Sequence, residues 1–232
     1  MGAKTLEREQ IEESKAASRR AFDDQAAEFD TGPCGDHARS LYVHVLREVR
    51  EFCQAYAWRE VASGRAASED AVRPVRILDV GCGTGALDAM ILDFVPSCKL
   101  VGVDLSLKMV RKARERLDGV ATVIYADAER LPFADGEFDI VVCNDSFHHF
   151  PDPMRAAFES WRVLGREGVM IVGDEWQAQP GRAIANLIKP MAGEGDVHVY
   201  SEDEMSEILG SWFETVEWRS VSSKACLVVA RK

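Results

Sequence analysis

The chain has 232 residues, 47% hydrophobic and 29% charged, a composition that suits one α/β domain with a substantial core. Its formal charge of −11 and pI near 5.0 disfavour a nucleic-acid backbone as ligand, which needs a basic footprint. No stretch approaches the roughly 20 apolar residues of a membrane helix, residues 1–30 lack an apolar signal core, and the six cysteines stand singly without C-x-x-C spacing, so a reducing, cytoplasmic setting is expected.

Residues 5–28 are rich in alanine and charge, with Leu6, Ile11 and Phe22 as sparse apolar positions, which predicts a helix that docks late or moves. Asp36 is placed to cap a second helix, in which Leu41, Val45, Val49 and Phe52 recur at three- and four-residue spacing. The segment 62–74 is small, polar and closed by Pro74; it reads as a linker within one domain, because the helices before it have apolar faces that need covering. From Val75 strand and helix alternate, the pattern of a parallel sheet between helical layers. Leu87, Met90, Ile91 and Phe94 would form one face of the first crossover helix; Ser106 would start the second, with Met109, Val110, Ala113 and Leu117 inward. Asp152-Pro153 suits the start of a helix bearing Ala157, Phe158, Trp161 and Leu164. Ser201 and Glu204 read as a capping box before Met205, Ile208, Leu209 and Trp212. Residues 213–231 read as two strands joined by a short Ser-Ser-Lys turn.

The densest chemical signal is ILDVGCGTGALDAM, residues 77–90, where a strand reaching Asp79 is followed by Gly81, Gly83 and Gly85 alternating with Cys82 and Thr84. A buried strand that stops at a glycine-dense loop and restarts as a helix brings backbone N–H groups close to a ligand without Cβ obstruction. In an α/β sheet this lies at the carboxyl end of a central strand, where nucleotide-like ligands bind. Residues 81–86 also satisfy G-x-G-x-x-[G/A], which opens many nicotinamide and flavin enzymes. Asp104 ends the second apparent strand (KLVGVD), roughly 20 residues further on, where an acid holds ribose hydroxyls. These residues point to an adenosine-containing cofactor and leave an NAD(P)-dependent oxidoreductase open.

The order of the surrounding pieces resembles the class I S-adenosylmethionine (SAM) dependent methyltransferases, from about Asp23 to the C-terminus. Asp79 to Gly85 looks like that family's first motif, with the acid beneath the methionine end of SAM. Asp104 falls at its ribose-binding acid, and Asp127-Ala128, after ATVIYA, at the pair that meets the adenine amino group and ring. Residues 131–150 (LPFADGEFDIVVCNDSFHHF) resemble the approach to the fourth strand and its functional loop, and 162–176 the passage into the fifth strand. The branch most resembled is the small-molecule group that includes the quinone-biosynthesis C-methyltransferases, through FDDQAAEFD (22–30), LPFADGEFD and His148-His149-Phe150.

The resemblance implies a Rossmann-like fold: a seven-stranded, mostly parallel sheet with an antiparallel last strand, helices on both faces and an N-terminal helical lid. Residues 1–60 would be the lid and 61–232 the methyltransferase domain, within one structural unit. A closing antiparallel hairpin is expected of this fold and not of a two-half dinucleotide fold. SAM would be the cofactor and a small organic molecule the acceptor, by in-line displacement, with a non-catalytic SAM-binding regulator as the other reading. The backbone of Gly81, Cys82, Gly83, Thr84 and Gly85 would support the methionine portion through its amides. Leu105 and Met109 would sandwich the adenine, and the Asn144 carbonyl would reach the methionine amino group.

His148 and His149 follow the fourth strand, where the resemblance places the acceptor, and a positioned histidine is the usual base near neutral pH. Adjacent side chains on an extended segment point to opposite sides, so at most one is expected to be catalytic. Packing under Phe150 and bonding to a loop backbone are their ordinary alternatives. Asp145 could orient a histidine or cap the next turn. His37 and His44, with no evident acid partners, and the isolated His198 are not expected to hold a metal. Asn144-Asp145-Ser146-Phe147 lacks the two prolines of the [D/N]-P-P-[Y/F] motif of DNA amino-methyltransferases, so a nucleic-acid amine is a poor acceptor. Phe29 stands where relatives often have Tyr. Trp176, Met191 and Tyr200 suit an apolar lid or the core equally, and residues 193–197 hold enough glycine to move in such a lid.

Overall fold

The computed structural model of the protein describes residues 2–32, 35–188 and 197–232. Two helices, α1 (Gly2–Gln25) and α2 (Asp36–Ala62), precede β1 (Arg76–Val80), α3 (Ala86–Phe94), β2 (Lys99–Asp104), α4 (Leu107–Leu117) and β3 (Thr122–Tyr125). The chain continues through β4 (Phe138–Asn144), α5 (Pro153–Val163), β5 (Leu164–Glu175), α6 (Gly181–Ile188), α7 (Glu202–Gly210), β6 (Thr215–Ser222) and β7 (Ala225–Arg231). The strands form one sheet in the order β3-β2-β1-β4-β5-β7-β6, in which β7 runs antiparallel to both neighbours and the other pairings are parallel.

The central strands are apolar at successive positions because both sheet faces are covered. Leu78, Val141, Cys143, Met170, Val172 and Val228 turn to one core, shared with Ala157 and Val163 of α5 and Met205 and Leu209 of α7. Ile77, Ile140, Val142, Val169, Ile171 and Val229 turn to the other, shared with Val45 and Val49 of α2 and Leu87 and Ile91 of α3. That alternation is the two-residue period of a strand. The apolar face of α2 thus makes that helix an integral layer of the domain. Arg73, at the end of the linker, makes a bidentate pair with Asp139 at 2.7 Å on each arm, fixing the entry to β1 against β4.

Local signals set the helix starts. The Ser106 side chain accepts from Met109 N, Asp152 accepts from Arg155 N ahead of Pro153, and Ser201 and Glu204 complete a capping box. Three expectations need correction. Gly35 occupies the cap of α2, while Asp36 is its first helical residue and its carboxylate takes Arg39 at 2.6 Å. Met90 and Phe94 are exposed, at 38% and 54%; of the four apolar residues expected to face inward from α3, only Leu87 and Ile91 are buried. Leu164 opens β5 instead of closing α5. Among the described residues, no helix is long and apolar enough to cross a membrane.

Candidate cofactor and acceptor site

β1 has β2 on one side and β4 on the other, so the chain leaves its carboxyl end in opposite directions and a crevice opens there. The register Val80↔Val103 and Asp79↔Val142 brings Asp79, Asp104 and Asn144 to the same rim. A cavity lies at that rim, with about 950 Å³ of empty space when its open mouth is included. Gly81 turns the chain there at φ +82°, and a Cβ on it would lie 2.3 Å from Ser146 Oγ. No other residue fits.

The loop amides do not form the predicted row of donors. Gly81 N and Cys82 N donate to Val103 O at 2.8 and 3.0 Å, Gly83 N to Asp104 Oδ2 at 2.9 Å, and Gly85 N to Cys82 O at 2.9 Å. The first three hold the loop to β2 and the fourth closes the loop on itself, so at these positions the loop offers shape and close approach instead of anion-binding groups. Gly81, Cys82, Gly83 and Thr84 line the cavity, whereas Gly85 does not; it starts α3 and packs toward Ala113 of α4. Thr84 is committed to a clamp: its hydroxyl donates to Asp30 Oδ1 at 2.5 Å and accepts from Arg116 at 2.7 Å, and Arg116 also pairs with Asp30 at 2.6 Å.

Beneath the loop lie two buried acids. Asp79 is 1% exposed and lines the cavity; Asp88, in the first turn of α3, is 0% exposed. Gly102 on β2 leaves room for this, since a Cβ there would meet Asp88 Oδ2 at 2.9 Å. Burial, and then the neighbouring Asp88, push the Asp79 carboxyl well above its ordinary value, and burial pushes Asp88 up to about 6. Asp79 Oδ1 and Asn144 Oδ1 are buried without a hydrogen-bond donor. The Asn144 carbonyl accepts from Ser146 Oγ at 3.3 Å and retains a second lone pair. Asp104 accepts from Ser106 N at 2.7 Å and Gly83 N at 2.9 Å, and burial lifts its carboxyl to about 6. Each of its oxygens has a further lone pair for a hydroxyl donor. Leu105 and Met109 form the adjoining wall, with Asp127, Ala128 and Glu129 beyond.

The described lining includes five acids, Asp79, Asp104, Asp127, Glu129 and Asp145, against one Lys or Arg, Lys15. Unsatisfied buried acceptors in an acidic cavity fit a ligand that brings hydroxyl donors and positive charge, as SAM does. Sequence reasoning missed Lys15, Glu129 and Asp88. An acid three residues before Ile91, on the apolar face of a helix, was the available signal for Asp88.

Phe147–His149 forms a 3-10 turn, not the extended segment expected, and the two histidine rings lie 4.0 Å apart. His149 lines the cavity, edge-on to Phe22 at 4.9 Å. His148 is 5% exposed, outside the lining, with Nδ1 2.5 Å from Asp174 Oδ1 on β5. Asp145, at φ +57°, pairs instead with His37, whose Nδ1 is 2.6 Å from Asp145 Oδ1 and whose Nε2 is 3.0 Å from Lys224 O. Burial opposes the charge on Asp145, but the His37 bond and the nearby imidazoles hold its carboxyl below the ordinary value. His37 therefore has an acid partner after all, as does His198, 2.9 Å from Glu204 Oε1. Asp145, His148 and Asp174 bring one donor atom each within 4.8 Å, but each carboxylate already faces an imidazole. Tyr200 is core, edge-on to Phe147, and Trp176 packs on Trp218; neither lines the cavity. Met191 and residues 193–196 lie outside the described residues.

Residues 78–172 match the methyltransferase domain family, a span that includes Asp79, the glycine loop, Asp104, Asp127, Asn144 and both histidines. The malonyl-[acyl-carrier protein] O-methyltransferase of Geobacter sulfurreducens is 37% identical over 159 residues, 64% of this chain and 59% of that protein. The demethylmenaquinone methyltransferase of Thermus thermophilus is 34% identical over 131 residues, 55% of this chain and 58% of that protein. The chain thus spans about three fifths of the length of these curated relatives. A chain from the complex between the Haloferax volcanii Trm112 methyltransferase activator and a methyltransferase superposes with a TM-score of 0.72, over 92% of this chain and 96% of that one. At 19% identity, that likeness speaks to the fold alone.

Proposed function

Because the chain carries a methyltransferase domain with the class I fold, we propose that it transfers a methyl group from SAM to a small organic molecule. One observation supports this above the oxidoreductase reading: the amides of Gly81, Cys82 and Gly83 are spent on β2, and the described lining around the loop holds five acids against one lysine. Such a cavity repels the pyrophosphate of NAD(P), which needs free amides at a helix start. It attracts a sulfonium or ammonium.

When bound, SAM supplies a methyl group activated on a cationic sulfur for in-line attack by an electron-rich acceptor atom. Asp79, below the loop, and the Asn144 carbonyl would hold the methionine ammonium, and Asp104 the ribose hydroxyls. Asp127 and Ala128 would meet the adenine, with Leu105 and Met109 against its faces. Phe22, Phe29, Tyr42 and Phe150 supply aromatic walls that suit a flat apolar acceptor. Alignment of two bound reactants can contribute up to ~7–11 kcal/mol, so little else is asked of the protein. Where the acceptor loses a proton, His149 is the group to take it, since it lines the cavity; His148, fixed by Asp174, backs its ring. That catalytic role also separates this reading from a SAM-binding regulator.

We take residues 1–60 as a helical lid, with the covering role on α1, and 61–232 as the methyltransferase domain. The acidity of the cavity and the absent prolines after Asn144 argue against a nucleic-acid acceptor. The free thiols Cys53, Cys82, Cys98, Cys143 and Cys226 suit the cytoplasm. Thermal unfolding tests the assignment: S-adenosylhomocysteine at a hundredfold excess over Kd should stabilise by about 2.7 kcal/mol. For a domain of this size that raises Tm by roughly 5–10 °C. A shift with NADP and none with S-adenosylhomocysteine would refute the proposal. Methyl transfer from labelled SAM to a panel of phenols, quinols and carboxylic acids then excludes the regulator.

A further inference from the structure

α1 has a thin apolar face, and its docking is largely polar. Asp23 accepts from Ser106 Oγ at 2.6 Å and Lys108 N at 3.1 Å, at the start of α4, while Phe22 meets Phe29 and His149. About two turns earlier, Lys15 reaches into the cavity with 12% of its side chain exposed. Its Nζ lies 2.8 Å from Asp127 Oδ2 and 2.5 Å from Glu129 Oε2. Burial disfavours the ammonium, but hydrogen bonds to the two carboxylates outweigh it, so Lys15 is charged and bridges both.

Both oxygens of Asp127 are thereby engaged, Oδ1 with Glu129 N at 2.9 Å and Oδ2 with Lys15. Under the cofactor reading above, on which this inference rests, Asp127 is the acceptor for the adenine amino group. Lys15 lines the cavity beside that carboxylate, so the amino group and the ammonium compete for Oδ2. Glu129 gives the displaced ammonium a place to stay, so its charge remains paired as it leaves. We propose that Lys15 latches α1 over the adenine end of the cavity, and that an adenine amino group displaces it from Asp127 onto Glu129. Cofactor entry and exit are then coupled to the motion of α1, because the same ammonium that competes for Asp127 holds the helix down.

Stopped-flow binding of S-adenosylhomocysteine tests this, with intrinsic tryptophan fluorescence as the readout. Lys15→Met should accelerate both association and dissociation by roughly fivefold, the scale of a lost ion pair of this kind. Salt, which screens such a pair, should accelerate association to the native protein and leave Lys15→Met unchanged. Asp24→Asn, on the same helix but 85% exposed, should bind at the native rates. Glu129→Gln should weaken binding, because Lys15 then has no second carboxylate to receive it; this variant carries the test should Lys15→Met fail to fold. Equal rates in the native protein and Lys15→Met, or undiminished affinity in Glu129→Gln, overturns the latch while the cofactor reading stands. Failure of the native protein to bind S-adenosylhomocysteine at all overturns both.

Discussion

Asp104→Asn is the sharpest single perturbation of the cofactor site. The native carboxylate receives Gly83 N on one oxygen and Ser106 N on the other, and so ties the glycine loop to the start of α4 while presenting spare lone pairs to the cavity. An asparagine has one acceptor oxygen, so its NH2 must face one of those two amides. The abandoned amide costs about 1–3 kcal/mol of stability. For the ligand, the ribose hydroxyls lose a charged acceptor, and one of them loses its acceptor altogether; at about 1–2 kcal/mol each, binding weakens by about 2–4 kcal/mol, or roughly 30- to 700-fold. Isothermal titration with S-adenosylhomocysteine measures the second effect and thermal unfolding the first. Affinity within about threefold of native, in a variant that remains folded, would refute the ribose assignment and with it the reasoning from Asp104.

Because Asp104 sits at about 6 in the fold against an ordinary 3.8, the folded chain keeps a proton that the unfolded chain has lost between those pH values; stability from this group should fall by about 3 kcal/mol in all as pH rises from below 3.8 to above 6, about 2 kcal/mol of it between pH 4 and 6, visible as a declining Tm. Ligand hydroxyls and a ligand cation favour the ionised form, so S-adenosylhomocysteine should bind more tightly as pH rises through about 6, with protons released in titrations run in two buffers of different ionisation enthalpy. Gly81→Ala forces a side chain to φ +82° and onto Ser146 Oγ, and should cost at least ~2 kcal/mol in chemical denaturation and abolish ligand binding. Ser201→Ala removes the capping box remote from the cavity and should lower stability by ~1 kcal/mol, or Tm by roughly 2–4 °C, with ligand affinity unchanged. Tyr42, whose hydroxyl burial and the nearby Asp79 push up to about 12, stays protonated; Tyr42→Phe should raise KM for the acceptor and leave S-adenosylhomocysteine affinity within about threefold.

The fold was legible because its determinants are local. Strand alternation from Val75, the caps at Ser106, Asp152 and Ser201, and the closing hairpin all rest on neighbours a few residues apart, and the structure realises each of them. That Asp79, the glycines and Asp104 meet was legible for a related reason: they sit at strand ends, where the sheet itself brings them together. What the sequence concealed are contacts between distant segments. Lys15 with Asp127 spans 112 residues and His37 with Asp145 spans 108, and no periodicity announces either. Loop amides at 81–85 looked available because a glycine-rich turn does not reveal which of its donors the adjacent strand consumes. Met90 and Phe94 misled because helical spacing predicts a face, while the width of the groove beneath α3 decides how much of it is buried.

The two halves of the cavity have different origins in the chain, and that division bears on the acceptor. The residues proposed to hold the cofactor, from Asp79 through Asn144, fall within the matched span 78–172. Part of the lining comes from upstream of it: Phe22, Phe29 and Tyr42, with His37 outside the lining pairing with Asp145 from the first turn of α2. A shared cofactor would constrain the first set in every protein that uses it, whereas the second set is free to differ with the acceptor. Under the proposed function, acceptor choice therefore falls to these upstream residues. The same N-terminal segment is tied by polar contacts to the half proposed to hold the cofactor, through Lys15, Asp23 and Asp30, so the two proposed roles are mechanically joined.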